Sequence, residues 1–115
     1  VGDLYYPSLT EILWRASRWF EQPDVLVVRF EDLVGSKGGG DDNAQRKTIK
    51  QVFEHVGWDM ADDDVQKIQE NLFGGTHTFR KGQIDAWREA IPEELQKILI
   101  ERIKIIPCME RLGYA

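Results

Sequence analysis

Apolar positions recur at helical spacing in four stretches of the chain and run almost unbroken in a fifth. Leu9, Ile12, Leu13, Ala16 and Phe20 fall on one helical stripe behind Ser8-Leu9-Thr10-Glu11, whose spacing is that of a capping box, and Pro23 stops it. A first helix is therefore expected. Val25-Leu26-Val27-Val28-Arg29-Phe30 follows, rich in β-branched residues and nearly continuous in its apolar character. That is how a strand covered on both faces reads, so this run is predicted to be an interior parallel strand. Gly35 to Gly40, with Ser36 and Lys37, reads as a flexible loop, and Asp41, Asp42 and Asn43 supply capping chemistry for a second helix. Ile49, Val52, Phe53 and Val56 carry that helix, which ends at Gly57.

A third helix is predicted to begin among Asp62, Asp63 and Asp64, to carry Val65, Ile68 and Leu72, and to break at Gly74-Gly75. The three aspartates complement the dipole of a helix start. A calcium loop needs alternating oxygen ligands around a central glycine and a distal glutamate, which this stretch lacks, so no metal site is expected. The last helix starts near Pro92-Glu93-Glu94 and runs along Leu95, Ile98, Leu99, Ile103 and Ile106, with Pro107 ending or kinking it. No internal repeat accompanies these elements.

The expected inventory is therefore mainly α with one principal β-strand. A strand of that kind needs neighbours to pair its amides and carbonyls. Residues 1 to 6 or 76 to 80 adding a short strand, a second copy of the chain, or the rest of a larger α/β sheet would each supply one.

Composition narrows the class. The 115 residues, 13.3 kDa, fit a single domain spanning 1–115 with a modest core. One cysteine, Cys108, excludes an internal disulfide framework and suits a reducing compartment, and no apolar run approaches a membrane span. A cytoplasmic chain without membrane contact is expected. The formal net charge of −5 argues against broad nucleic-acid binding, yet Thr78-Phe79-Arg80-Lys81-Gly82 gathers positive charge and a bare glycine backbone next to a helix start. An arginine fork, a lysine point charge and free amides together make a phosphate grip.

A strand followed by Phe30-Glu31-Asp32-Leu33, an amphipathic helix, an acidic-start helix ending in Leu72-Phe73, then Phe79-Arg80-Lys81-Gly82 with Trp87-Arg88-Glu89 beyond it and a terminal Leu112-Gly113-Tyr114 resemble the C-terminal half of sulfotransferases. These enzymes move a sulfuryl group from 3′-phosphoadenosine 5′-phosphosulfate to a hydroxyl or amine. The resemblance covers roughly residues 20 to 115 and implies the C-terminal part of a P-loop-like α/β fold. It implies that Arg80, Lys81 and Gly82 hold the 3′-phosphate of the nucleotide, the arginine as a bidentate donor and the glycine by close backbone approach. Phe73 stands where the family packs a phenylalanine against adenine. Phe30 stands where the family commonly has a tyrosine bonded to the adenine edge, so stacking is kept and that bond is lost.

Several positions depart from the family pattern. Asp85-Ala86 replaces the usual Gly-Asp before the tryptophan, which puts a carboxylate near the proposed phosphate. Arg88, Pro92-Glu93 and Lys97 stand where many cytosolic relatives carry their short dimer motif, so that mode of dimerisation is not implied. The phosphosulfate loop and the catalytic histidine belong far upstream in the family, and neither His55 nor His77 is at a position where it keeps its base. Beginning at Val1 rather than methionine fits a partial chain. Sulfuryl transfer needs a base on the acceptor and charge stabilisation on the leaving phosphate, so this chain alone is expected to have no catalytic residue and no turnover.

Read without the resemblance, the same residues have plainer roles. Arg80 and Lys81 are solvated charges, Gly82 a turn glycine, and Phe30 and Phe73 core residues; the four tryptophans are packing residues and His55 a partly buried helix residue. The expectations are thus the C-terminal portion of a sulfotransferase, encoded short, excised or working with a separate N-terminal half; a non-catalytic remnant forming a homodimer through the Val25 to Phe30 strand; or a nucleotide- or phosphate-binding module.

Overall fold

The computed structural model describes residues 5–77 and 79–114. Regular structure among them is entirely helical: α1 (Leu9–Ser17) continued by a 3₁₀ turn (Arg18–Glu21), α2 (Phe30–Leu33), a 3₁₀ turn (Ser36–Gly38), α3 (Asp42–His55), α4 (Asp62–Asn71), α5 (Ala86–Ala90), α6 (Glu93–Lys104) and α7 (Pro107–Leu112). No helix among the described residues is long and apolar enough to cross a membrane. The chain divides into two compact units, one from the described residues of 1–25 and 91–115, the other from Leu26–Ala90.

In the first unit, Ser8 caps α1 by accepting a hydrogen bond from the Glu11 amide at 3.2 Å. The apolar stripe behind that cap delivers Leu13 and Phe20 to a small core of Ile106, Cys108 and Met109, which Ile103 and Leu112 also cover. Pro107 separates two helices instead of kinking one. Its missing amide is harmless at the first position of α7, and its ring stops α6 from continuing. The α7 end is closed by Gly113 at φ +79, with the Tyr114 amide donating to the Met109 carbonyl at 2.8 Å.

The second unit is centred on α3 and α4. Asp41 caps α3 through the Ala44 amide at 2.8 Å, and Ile49 and Val65 are buried where the two helices pack. Arg46 and Lys50 converge on Asp62 at 3.0 and 2.6 Å, tying the first turn of α4 to the middle of α3. These two cations hold the Asp62 carboxyl below its ordinary value, the Lys50 hydrogen bond being the larger cause. The buried Gln45 joins three elements. Its amide nitrogen donates to the Leu33 carbonyl at 2.9 Å, and its oxygen accepts from Gln69, which also donates to the Asp42 carbonyl at 2.9 Å.

The expected interior strand is not formed, and the α/β architecture implied by the resemblance is overturned with it. Residues 25–29 carry no regular secondary structure and pair with no strand among the described residues; Arg29 alone is shown to be extended, and Phe30 opens α2. Val25 to Val28 are each 36–38% exposed, whereas an interior strand would be covered on both faces. The physical reason is the lack of a neighbour: apolar content favours burial, but only a second strand satisfies the amides and carbonyls of a ladder. Glu31 and Asp32 favour the helix at the other end of the run, because carboxylates are stabilised in a first turn. Of the segments proposed as extra strands, residues 1–4 and Thr78 lie outside the described residues, and the remainder of 1–6 and 76–80 contains no strand.

The glycine run also differs from its expected role as a flexible loop. Ser36 donates from its amide and its hydroxyl to Asp42 at 2.8 and 2.9 Å, and these bonds lower the Asp42 pKa. The Gly40 amide closes onto the Gly35 carbonyl at 2.8 Å. Gly38 is buried, and a Cβ built on it would lie 2.0 Å from the Val34 side chain and 2.6 Å from the Gly82 carbonyl. The glycines here permit close packing.

Candidate functional site

The packed glycine turn positions the basic segment. The Gly38 carbonyl accepts from the Ile84 amide at 2.9 Å, and the Lys37 carbonyl accepts from the Gln83 side chain at 2.8 Å. Residues 82–84 are thereby fixed against 37–38. Just before them, the Phe79 amide donates to the Thr76 carbonyl at 3.1 Å, and the Phe79 ring meets Phe73 edge to face with centroids 5.1 Å apart. Gly82, at φ +57, admits both rings; a Cβ there would lie 2.6 Å from Phe79 and 3.1 Å from Phe73.

These contacts outline a pocket of about 410 Å³. Phe30, Leu33, Leu72, Phe73 and Phe79 supply its apolar wall, Gly74 and Gly82 bring backbone to it, and Thr76 and Arg80 are its polar side chains. Four of the five residues marked in the sequence, Phe30, Phe73, Arg80 and Gly82, therefore line one cavity although the first lies 43 positions before the second. Lys81 does not line it. Its ammonium lies 3.5 Å from Glu89, a weak exposed pairing. Arg80 is exposed, and no carboxylate among the described residues pairs with it.

Asp85 is drawn away by its own neighbour. It is the one residue other than glycine at positive φ among the described residues, +61°, and its carboxylate accepts from the Arg88 Nε at 3.0 Å. The Arg88 guanidinium also sits 4.5 Å from the centroid of the Trp87 ring.

Phe79, Thr76 and the glycine turn were not singled out as site residues. Phe79 was legible as the aromatic next to Arg80, whereas Gly38 left only the run Gly38-Gly39-Gly40, which reads equally well as flexibility. The tryptophans divide: Trp14, Trp19 and Trp58 are exposed, and Trp87 is half-buried. His55 is exposed and not partly buried, and neither it nor His77 lines the pocket. Chemically, the arrangement offers three phenyl rings for a flat aromatic group and one guanidinium for an anion at its edge. No imidazole or carboxylate lines it to move a proton.

Comparison of the chain with protein-family models, with characterised proteins and with solved structures gave no match.

Proposed function

We propose that this pocket is the base-and-phosphate half of a nucleotide site of the kind sulfotransferases use for 3′-phosphoadenosine 5′-phosphosulfate, and that the chain does not transfer a sulfuryl group by itself. The observation that carries the reading is the convergence of Phe30, Phe73, Arg80 and Gly82 on one cavity with Arg80 left without a carboxylate partner among the described residues. Phenyl faces stack a purine with little demand on hydrogen bonding, and a free guanidinium binds phosphate oxygens in bidentate fashion. Asp85 adds support. It occupies the place where the family carries glycine before the tryptophan, and it adopts the left-handed backbone that glycine adopts most readily.

The reading concerns the site and not the sheet. Leu26 to Val28 make no backbone hydrogen bond to another described residue, so their amides and carbonyls suit an extended segment from another chain, either a separate N-terminal half or a second copy. A buried, unpaired Cys108 fits work in the reducing cytoplasm.

Calorimetric titration with adenosine 3′,5′-bisphosphate tests the assignment. Binding is expected, with Arg80→Ala weakening it by about ten- to a hundredfold, the loss of a charge-assisted hydrogen-bond pair. Lys81→Ala should have a much smaller effect, because that ammonium is turned toward Glu89. No binding to a folded chain, or binding indifferent to Arg80→Ala, would refute the reading.

A further inference from the structure

Helix α6 carries two apolar stripes, and only one is used. Ile103 packs on the core of Ile106, Cys108 and Met109. A second line of residues, Leu95, Ile98, Arg102 and the C-cap residue Ile105, advances by three, four and three positions, the spacing of one helix face that meets another helix. Leu95, Ile98 and Ile105 are 55%, 52% and 66% exposed. Three large aliphatic side chains in line on one helix are an interaction surface in search of a partner, not scattered surface residues.

The charges on α6 select what covers it. Its first turn is acidic, with Glu93 and Glu94, and its last turn basic, with Arg102 and Lys104. Glu93 is satisfied by Lys97 at 3.0 Å and Lys104 by Glu101 at 2.8 Å. Glu94 and Arg102 have no ion pair to another described residue. In a parallel pair of copies, Glu94 would meet Glu94 and Arg102 would meet Arg102 at the same level. An antiparallel pair instead sets Glu94 of each copy beside Arg102 of the other, twice by symmetry, and opposes the two helix dipoles so that the N-terminal end of each lies beside the C-terminal end of the other. The stem of Arg102 continues the apolar line while its guanidinium reaches the rim.

We infer that α6 is a self-association surface on which two copies of the chain pair antiparallel about Ile98, sealed at both ends by Glu94 and Arg102. The inference does not depend on the nucleotide reading. Sedimentation equilibrium of the full chain tests it, with helix content from circular dichroism as the check on folding, since every substituted side chain is exposed. A dimer in the micromolar range is expected, as befits a small interface. Ile98→Glu should raise the dissociation constant more than about tenfold. Glu94→Lys and Arg102→Glu should each raise it about two- to tenfold, and the double swap should restore it. The inference is overturned by a chain that stays monomeric at the highest soluble concentration, by a dimer that Ile98→Glu leaves intact, or by a double swap no tighter than its parents. A dimer lost on Val27→Lys and untouched by the α6 variants overturns it as well, and assigns association to the Val25 to Phe30 run.

Discussion

Two six-residue runs lie within sixteen positions of each other and behave oppositely to their composition. Val25 to Phe30 is apolar and β-branched, yet its first four residues are more than a third exposed, its first five form no regular structure, and the sixth opens α2. Gly35 to Gly40 has almost no side chain to pack, yet it is hydrogen-bonded end to end and holds buried Gly38 against the Gly82 backbone. The contrast shows what a run of residues contributes by itself. Hydrophobicity states a wish to be covered and names no partner, whereas the absence of a Cβ lets two backbones approach as soon as the rest of the chain brings them together.

The sharpest way to break the comparison is to put an atom where Gly38 has none. Gly38→Ala would place a methyl group 2.0 Å from Val34 and 2.6 Å from the Gly82 carbonyl, so the turn and the segment carrying Arg80 must separate. A loss of about 1–3 kcal/mol is expected, the range for overpacking, and it exceeds the roughly 0.4–1 kcal/mol that alanine gains by restricting the unfolded chain. Urea unfolding measures the first quantity, and titration with adenosine 3′,5′-bisphosphate should show affinity falling with it. An unchanged midpoint would mean that the close approach of 38 to 82 does not hold in solution.

Gln45→Ala comes next. The glutamine is buried and bonded on both ends, so removal takes its donor from the Leu33 carbonyl and leaves the Gln69 amide only its bond to the Asp42 carbonyl, at a cost of about 1–3 kcal/mol in the same unfolding experiment. Gln45→Leu should recover little of this, because the volume returns and the hydrogen bonds do not. Equal stability for Gln45→Leu and the parent would show that Gln45 acts by packing alone.

A smaller effect belongs to Asp42, whose carboxylate accepts both hydrogen bonds from Ser36 and has its pKa lowered by them. A folded-state pKa below the unfolded value means that the carboxylate stabilises the fold above the unfolded value near 3.8 and that this contribution disappears as pH falls through the lower folded value. Asp42→Asn should therefore be less stable than the parent at neutral pH and approach it as the pH falls from the unfolded value through the lower folded one. A difference that stays constant down to strongly acidic pH would assign the loss to shape and not to charge.

What the sequence disclosed about this molecule follows the range of the forces involved. Helix starts at Ser8, Asp41 and Asp62, the end at Gly57 and the break at Pro107 were legible because caps, dipoles and proline act within one turn. The convergence of Phe30 with Phe73 and Arg80 was accessible only through family resemblance, since no local pattern links positions so far apart. The Gln45 clamp was not legible at all: a glutamine between Ala44 and Arg46 reads as surface, and its burial depends on carbonyls supplied by Leu33 and a side chain supplied by Gln69. The strand failed for the reason that the glycine turn succeeded, which is that each depends on what arrives from elsewhere in the chain.

That dependence gives the smallest expected effect its value. Val27→Thr keeps the β-branched shape and replaces a methyl by a hydroxyl, a change that would be costly in an interior strand, where the hydroxyl would be buried without a partner, about 1–3 kcal/mol. At a position 38% exposed whose backbone bonds nothing among the described residues, the same substitution should change unfolding stability by less than about 0.5 kcal/mol. A near-zero result for the isolated chain, turning into a clear loss when an extended segment from another chain is bound, would identify residues 26–28 as an edge completed in trans. A loss above about 1 kcal/mol in the isolated chain would mean that the run is covered in solution after all. The contrast between the apolar run and the glycine run would then be one of degree, with both segments held by contacts of their own chain.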